Sequence, residues 1–218
     1  MKSVAPHTRV CAYDRAGRGM SDAAPLPRTS LDVATDIYTF LNNAGLAGPY
    51  ILVGHSAGGL NVLVSASQYP EDIVRMVLAD ASNPDACQRQ LESLPYEYTG
   101  EPSDVANCRG EFKSCIKFWK SSGNMEGWDF ATSGEQVKSV ISLGDLPLIV
   151  ITDTFYNACK GELGAIEDQI WKDLHPEYVA LSTNGTQVFT DSGHMLPTTN
   201  PHAVVEAILQ VLEQARNK

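Results

Sequence analysis

Tyr50-Ile51-Leu52-Val53-Gly54-His55-Ser56-Ala57-Gly58-Gly59-Leu60 is the stretch that decides the fold. Four apolar residues run into a glycine, a serine stands two positions later, and Leu60, Val62, Leu63 and Ala66 then repeat at helical spacing. A continuous apolar run bounded by glycine reads as a strand covered on both faces, and the pattern after it reads as a helix from Ser56 that stops at Pro70. The serine therefore stands on a tight turn between strand and helix. Side chains at positions 54 and 58 are expected to collide with strand and helix backbone there, and glycine at both removes the collision. At a helix N-terminus, Ser56 has the amide of Ala57 and the positive end of the helix dipole beside it. Those groups favour the negative charge that develops when a hydroxyl attacks a carbonyl. A G-x-S-x-G match carries little weight alone, and its strand-turn-helix context gives it meaning.

Working outward, short β-branched runs alternate with longer amphipathic stretches, the pattern of βα units on a largely parallel sheet. Strands are expected at 8–13, 50–54, 74–79, 146–152 and 186–190. Thr29-Ser30-Leu31-Asp32 offers an N-cap to a helix whose apolar stripe, Leu31, Ala34, Ile37, Phe40 and Leu41, ends at Gly45. Another helix is expected over 164–181, kinked or broken at Pro176. The last opens at Asn200-Pro201 and carries Val204, Val205, Ile208, Val211 and Leu212 on one face. Residues 81–145 break the alternation, yet Tyr96, Tyr98, Phe112, Phe118, Trp119, Trp128 and Phe130 gather there. An insertion leaving a strand end of an α/β sheet becomes either a lid over the ligand site or a satellite core that holds itself down.

A serine near its free pKa needs a base within hydrogen-bond reach, and histidine suits that task near neutrality. Of five histidines, His55 belongs to the turn itself, His175 lies in a helical pattern, His202 in a helix first turn and His7 near the terminus, while His194 follows the final strand.

Gly54-His55-Ser56-Ala57-Gly58-Gly59 resembles the nucleophile elbow of the α/β-hydrolase family. Tyr13-Asp14-Arg15-Ala16-Gly17-Arg18-Gly19-Met20-Ser21-Asp22 is similar to the loop after that family's fourth strand, and one helix separates the two motifs, as in the family. The resemblance implies an α/β fold, a mostly parallel sheet flanked by helices, with residues 1–80 and 146–218 as core and 81–145 as a helical lid. It implies Ser56 as nucleophile, Ala57 N–H as an oxyanion donor, Gly54 and Gly58 as elbow glycines, and His194, in Asp191-Ser192-Gly193-His194-Met195, as the base. The orienting acid usually comes from the loop after the strand that here reads Leu148-Ile149-Val150-Ile151, where Asp153 lies close to the strand end. Some relatives take it from the strand after the elbow, and Asp80 in Val77-Leu78-Ala79-Asp80-Ala81-Ser82 fits that variant. Asp80 is assigned, with Asp153, Asp85 and Glu162 as alternatives. Family members also carry two or three strands and an H-G loop ahead of the Tyr13 segment, and nothing in residues 1–12 matches them. The second oxyanion donor is thereby left to another backbone amide or a partner chain, or the chain is a truncated form.

The expected reaction is hydrolysis of a small carboxylic ester with an apolar group through an acyl-enzyme. A ligand receptor that keeps the triad, and a lyase or carbon-carbon hydrolase on the same residues, are the alternatives. The net charge of -10 disfavours a phosphate backbone as partner. No cofactor is implied, because neither a clustered metal-ligand set nor a phosphate-binding glycine loop is present. No run of about 20 apolar residues could span a bilayer, and the first residues lack a signal-peptide core, so a soluble chain is expected, with compartment and oligomeric state open. Of the five cysteines, Cys87, Cys108, Cys115 and Cys159 fall in or beside the insertion, where one or two bridges would form in an oxidising compartment, and Cys11 stands apart.

Overall fold

Thr29 opens the first helix, α1 (Ser30–Asn43), with a reciprocal cap: its hydroxyl accepts from the Asp32 amide, and the Asp32 carboxylate accepts from the Thr29 amide at 2.7 Å. Gly45, at φ 63°, closes the other end, its amide bonding to Asn42 O while the Leu46 amide reaches back to Leu41 O. The structure, a computed structural model, describes residues 2–120, 127–154 and 159–216.

Four strands follow in order: β1 (Tyr50–His55), β2 (Ile73–Ala79), β3 (Leu148–Asp153) and β4 (Gly185–Thr190). They form one sheet in the order β1-β2-β3-β4, every pair parallel. Parallel neighbours require crossovers, and helices supply them: α2 (Ala57–Gln68) joins β1 to β2, and α6 (Gly161–Val179) joins β3 to β4. Between β2 and β3 lie α3 (Ala86–Ser93), α4 (Ser103–Trp119) and α5 (Phe130–Lys138), and α7 (Leu196–Thr199) and α8 (Pro201–Arg216) end the chain. Side-chain alternation splits the central strands between two faces. Met76, Leu78, Leu148 and Val150 pack with Leu60, Leu63 and Ala34 on the α1 and α2 side, whereas Val77, Ala79, Ile149 and Ile151 pack with Leu196, Ala207 and Val211 on the α8 side. Burial on both faces is why β2 and β3 read as unbroken apolar runs.

The strand expected at 8–13 does not form. Thr8, Arg9, Cys11 and Ala12 are exposed, and the Tyr13 ring stacks on Phe40 of α1 instead, 5.6 Å between centroids. A strand there would be bonded on one side only, and its mixed side chains offer β1 little apolar surface in return for the ordering. Pro176 does not break α6, which continues to Val179 with Ala180 N–H bonded to Pro176 O. Proline removes one helical bond, and the buried residues around it, Leu174, His175 and Tyr178, hold the helix in place.

Within 81–145, α5 is fastened to the core. Ser133 Oγ accepts from the Ser30 amide at 2.9 Å and from Trp128 Nε1 at 2.7 Å, and Val137 joins the main core. The rings of Phe118, Trp119 and Trp128 all lie within 5.1 Å of the Phe130 ring. Disulfides join Cys87 of α3 to Cys115 of α4, and Cys108 of α4 to Cys159 just before α6, while Cys11 is free and exposed.

Candidate active site

Ser56 occupies the junction of β1 and α2 at φ 53° and ψ -132°, a left-handed conformation that costs a residue with a Cβ about 1–3 kcal/mol. Bonds on both sides hold it there: the Ser56 amide donates to Ala79 O at 3.3 Å, and Ser56 O accepts from Gly59 N at 2.8 Å and Ser82 N at 3.1 Å. A Cβ on Gly54 would lie 2.7 Å from Gly58 O and 2.8 Å from Gly59 Cα, as the tight turn requires. Gly58 differs from expectation, since nothing lies within 4 Å of a Cβ built there. The second tight position is Gly59, whose Cβ would fall 2.4 Å from Ala81 Cβ. The close approach at that point is between α2 and the end of β2, and position 58 faces open space.

The loop after β4 turns at Gly193, φ 81°, and brings His194 to the serine. His194 Nε2 lies 2.9 Å from Ser56 Oγ, and Nδ1 lies 2.6 Å from Asp80 Oδ2. Asp80 is fully buried and also adopts a left-handed backbone, φ 46°, one residue past β2. Its other oxygen, Oδ1, accepts from the Asp153 amide at 3.0 Å and from Trp171 Nε1 at 2.8 Å. Both Asp80 oxygens are thus bonded, and the His194 ring bridges the carboxylate through Nδ1 and the serine hydroxyl through Nε2.

The other carboxylates considered from sequence lie elsewhere. Asp153 Oδ2 accepts from Thr190 Oγ1 at 2.9 Å and from the Ser192 amide at 2.8 Å, so it braces the loop that carries His194. Asp85 pairs with Lys138 at 2.7 Å, and Glu162 is exposed in the first turn of α6. Ala57, whose amide sequence reasoning assigned to the oxyanion, opens α2, where the first N–H groups have no acceptor within the helix.

Several neighbours were not singled out from sequence. His55 Nε2 donates to His194 O at 2.6 Å, and burial pushes the His55 imidazole below its ordinary pKa, which keeps it neutral. Ser82 Oγ lies 3.3 Å from Ser56 Oγ. Deeper in, Gln187 Nε2 donates to Thr152 Oγ1, that hydroxyl lies 2.8 Å from His175 Nδ1, and His175 Nε2 donates to Ala81 O at 2.9 Å. Burial lowers the His175 pKa also. The signal that could have found this network is ring residues with polar edges at 171, 175 and 178, four and three apart on one helix. Among the described residues no cluster of three or more His, Cys, Asp or Glu could hold a metal ion.

The chain belongs to the family of the alpha/beta hydrolase fold: residues 1–116 match its family model. An uncharacterized protein of Schizosaccharomyces pombe is 37% identical over 81 residues, 37% of this chain and 15% of that protein, so the match spans a small part of that relative's length. Among solved structures, a hydrolase from Pseudomonas aeruginosa aligns over 97% of this chain and 82% of its own, with TM-score 0.62 and 18% identity. A thermophilic esterase from Thermogutta terrifontis aligns over 91% of this chain and 77% of its own, with TM-score 0.55 and 21% identity. At such identities the likeness concerns the fold: a parallel sheet flanked by helices.

Proposed function

We propose that the protein is a serine hydrolase acting on small carboxylic esters. The observation that carries the reading is the continuous line from Ser56 Oγ through the His194 ring to buried Asp80, at 2.9 Å and 2.6 Å. Ser56 Oγ attacks the ester carbonyl, and its proton passes to His194 Nε2. Asp80 accepts from Nδ1–H and steadies the imidazolium so formed. The Ala57 amide donates to the oxyanion, and collapse of the tetrahedral adduct releases the alcohol with the proton from Nε2. A water then gives its proton to Nε2 while its oxygen attacks the acyl carbonyl, and collapse breaks the acyl bond to Ser56 Oγ, which takes the proton back from Nε2 as the acid leaves. The strained backbone of Ser56 supports the same reading, because it projects the hydroxyl from the strand end toward the imidazole.

In this reading residues 81–145 form the wall of the substrate site. Phe112, Trp128 and Phe130 are buried, so they secure the insertion itself, whereas Tyr96 and Tyr98 are exposed and offer aromatic surface to an apolar acyl or alcohol group. Among the described residues no helix is long and apolar enough to cross a membrane.

The test is labelling with a fluorophosphonate together with steady-state turnover of p-nitrophenyl butyrate. We expect one labelled site and multiple turnovers, both abolished by Ser56→Ala. Labelling that survives in Ser56→Ala would remove Ser56 from the mechanism, and a stoichiometric burst that then stops would favour a ligand receptor over a catalyst.

A further inference from the structure

One stripe of α6 grips three consecutive residues of the segment that follows β2. Trp171 Nε1–H donates to Asp80 Oδ1 at 2.8 Å, His175 Nε2–H to Ala81 O at 2.9 Å, and Tyr178 O–H to Ser82 O at 2.6 Å. All three rings are buried, Trp171 and Tyr178 4% exposed and His175 0%. Packing alone asks only for apolar bulk at such positions, whereas here each polar edge meets the next acceptor along one short segment. The His175 proton is fixed on Nε2, because its partner there, Ala81 O, can only accept; the neutral ring then presents Nδ1 as acceptor to the Thr152 hydroxyl.

The segment so held includes Asp80, whose backbone is strained and whose carboxylate would otherwise turn about a broad torsion. We propose that Trp171 is a positioning residue for the hydrolysis: with the Asp153 amide it pins Asp80 Oδ1, so that Oδ2 stays aimed at His194 Nδ1, while His175 and Tyr178 hold the backbone on which that carboxylate rides. The proposal rests on Ser56, His194 and Asp80 acting as a triad. The Trp171 ring stands edge-on to His194, 6.2 Å between centroids, so it works through Asp80 and donates no hydrogen bond to the imidazole or the serine.

Trp171→Phe keeps an aromatic ring and removes the donor. With p-nitrophenyl butyrate, kcat should fall about 10- to 100-fold while KM stays within about threefold, because a charged-group hydrogen bond is lost where orientation and not substrate contact is at stake. In an Asp80→Asn background the same substitution should cost less than about twofold in kcat, since the anion it orients is gone. Replacing Trp171 by β-(3-benzothienyl)alanine, which keeps the shape and puts sulfur in place of N–H, should reproduce the loss and guards against poor folding of the Phe variant. Unchanged kcat in the benzothienyl variant, or an equal fold-loss with and without Asp80, would assign Trp171 to packing and overturn the proposal. Near-normal turnover by Asp80→Asn alone would overturn the triad on which it rests.

Discussion

Asp80→Asn replaces one of two acceptor oxygens by an NH2 donor, and the surroundings decide which one. Among the described residues, Asp80 Oδ1 faces two donors, the Asp153 amide and Trp171 Nε1, while Oδ2 faces His194 Nδ1. Turning the new NH2 toward Oδ1's partners would leave two buried donors unpaired at about 1–3 kcal/mol each, so the amide oxygen stays there and the NH2 points at Nδ1. The imidazole then presents Nδ1 as acceptor and carries its proton on Nε2, facing Ser56 with N–H instead of a lone pair. A base in the wrong tautomer cannot take the serine proton, and the loss in kcat expected is about 10⁴-fold, or ~5.5 kcal/mol. Asp153→Asn should behave otherwise, because Thr190 Oγ1 and the Ser192 amide donate to the same oxygen, Oδ2, and an amide oxygen can keep the two. Turnover of p-nitrophenyl butyrate alongside thermal melting separates the two. We expect Asp80→Asn to lose activity with little change in Tm, and Asp153→Asn to keep most activity per folded molecule. Exchange of those behaviours between the two mutants would refute the tautomer argument and move the acid to the strand that ends at Asp153.

Gly58→Ala should be tolerated or stabilising by about 0.5–1 kcal/mol, since the site is open and alanine suits the first turn of α2 better. Gly59→Ala forces α2 away from Ala81 and should cost about 1–3 kcal/mol, read as a shift in the urea midpoint; equal midpoints for the two variants would contradict the assigned contact. Burial holds both His55 and His175 below the ordinary imidazole pKa, so the unfolded chain binds more protons than the folded one as pH drops past about 6.5. Stability is then full above that pH and declines below it, and His175→Gln should show a smaller loss in urea midpoint between pH 7.5 and 5.5 than the parent.

Much of this architecture can be read from residues close in sequence. Four of the five expected strands formed and lie parallel, Thr29 and Asp32 capped α1, and His194 stands in the loop after the last strand. What sequence could not supply are directions in space. Asp80 and Asp153 each end or follow adjacent strands, with Asp80 N bonded to Ile151 O, and either would read as a candidate acid. The left-handed backbone at Asp80 is one feature that sets where its carboxylate goes, and no residue nearby announces that conformation. The grip of α6 on residues 80–82 links groups more than ninety positions apart, beyond any local pattern. Residues 8–13 carried strand propensity, but pairing is decided by what a neighbouring strand can bury.

The two disulfides interlace along the chain: Cys108 and Cys115 both belong to α4, seven residues apart and thus on one stripe, and each leads to a different neighbour, Cys115 to Cys87 of α3 and Cys108 to Cys159 ahead of α6. Mechanically, α4 is a strut riveted at two points. It can shift only as far as α3 and the root of α6 travel with it, so in an oxidised chain a tug on this part of the insertion is transmitted along the backbone toward Trp171, the helix position that holds Asp80. Cutting the rivets with a reductant would let α4 shift without α3 and the root of α6, while α5 stays fastened to the core, which makes the thiol state of the solution a mechanical variable for this part of the molecule.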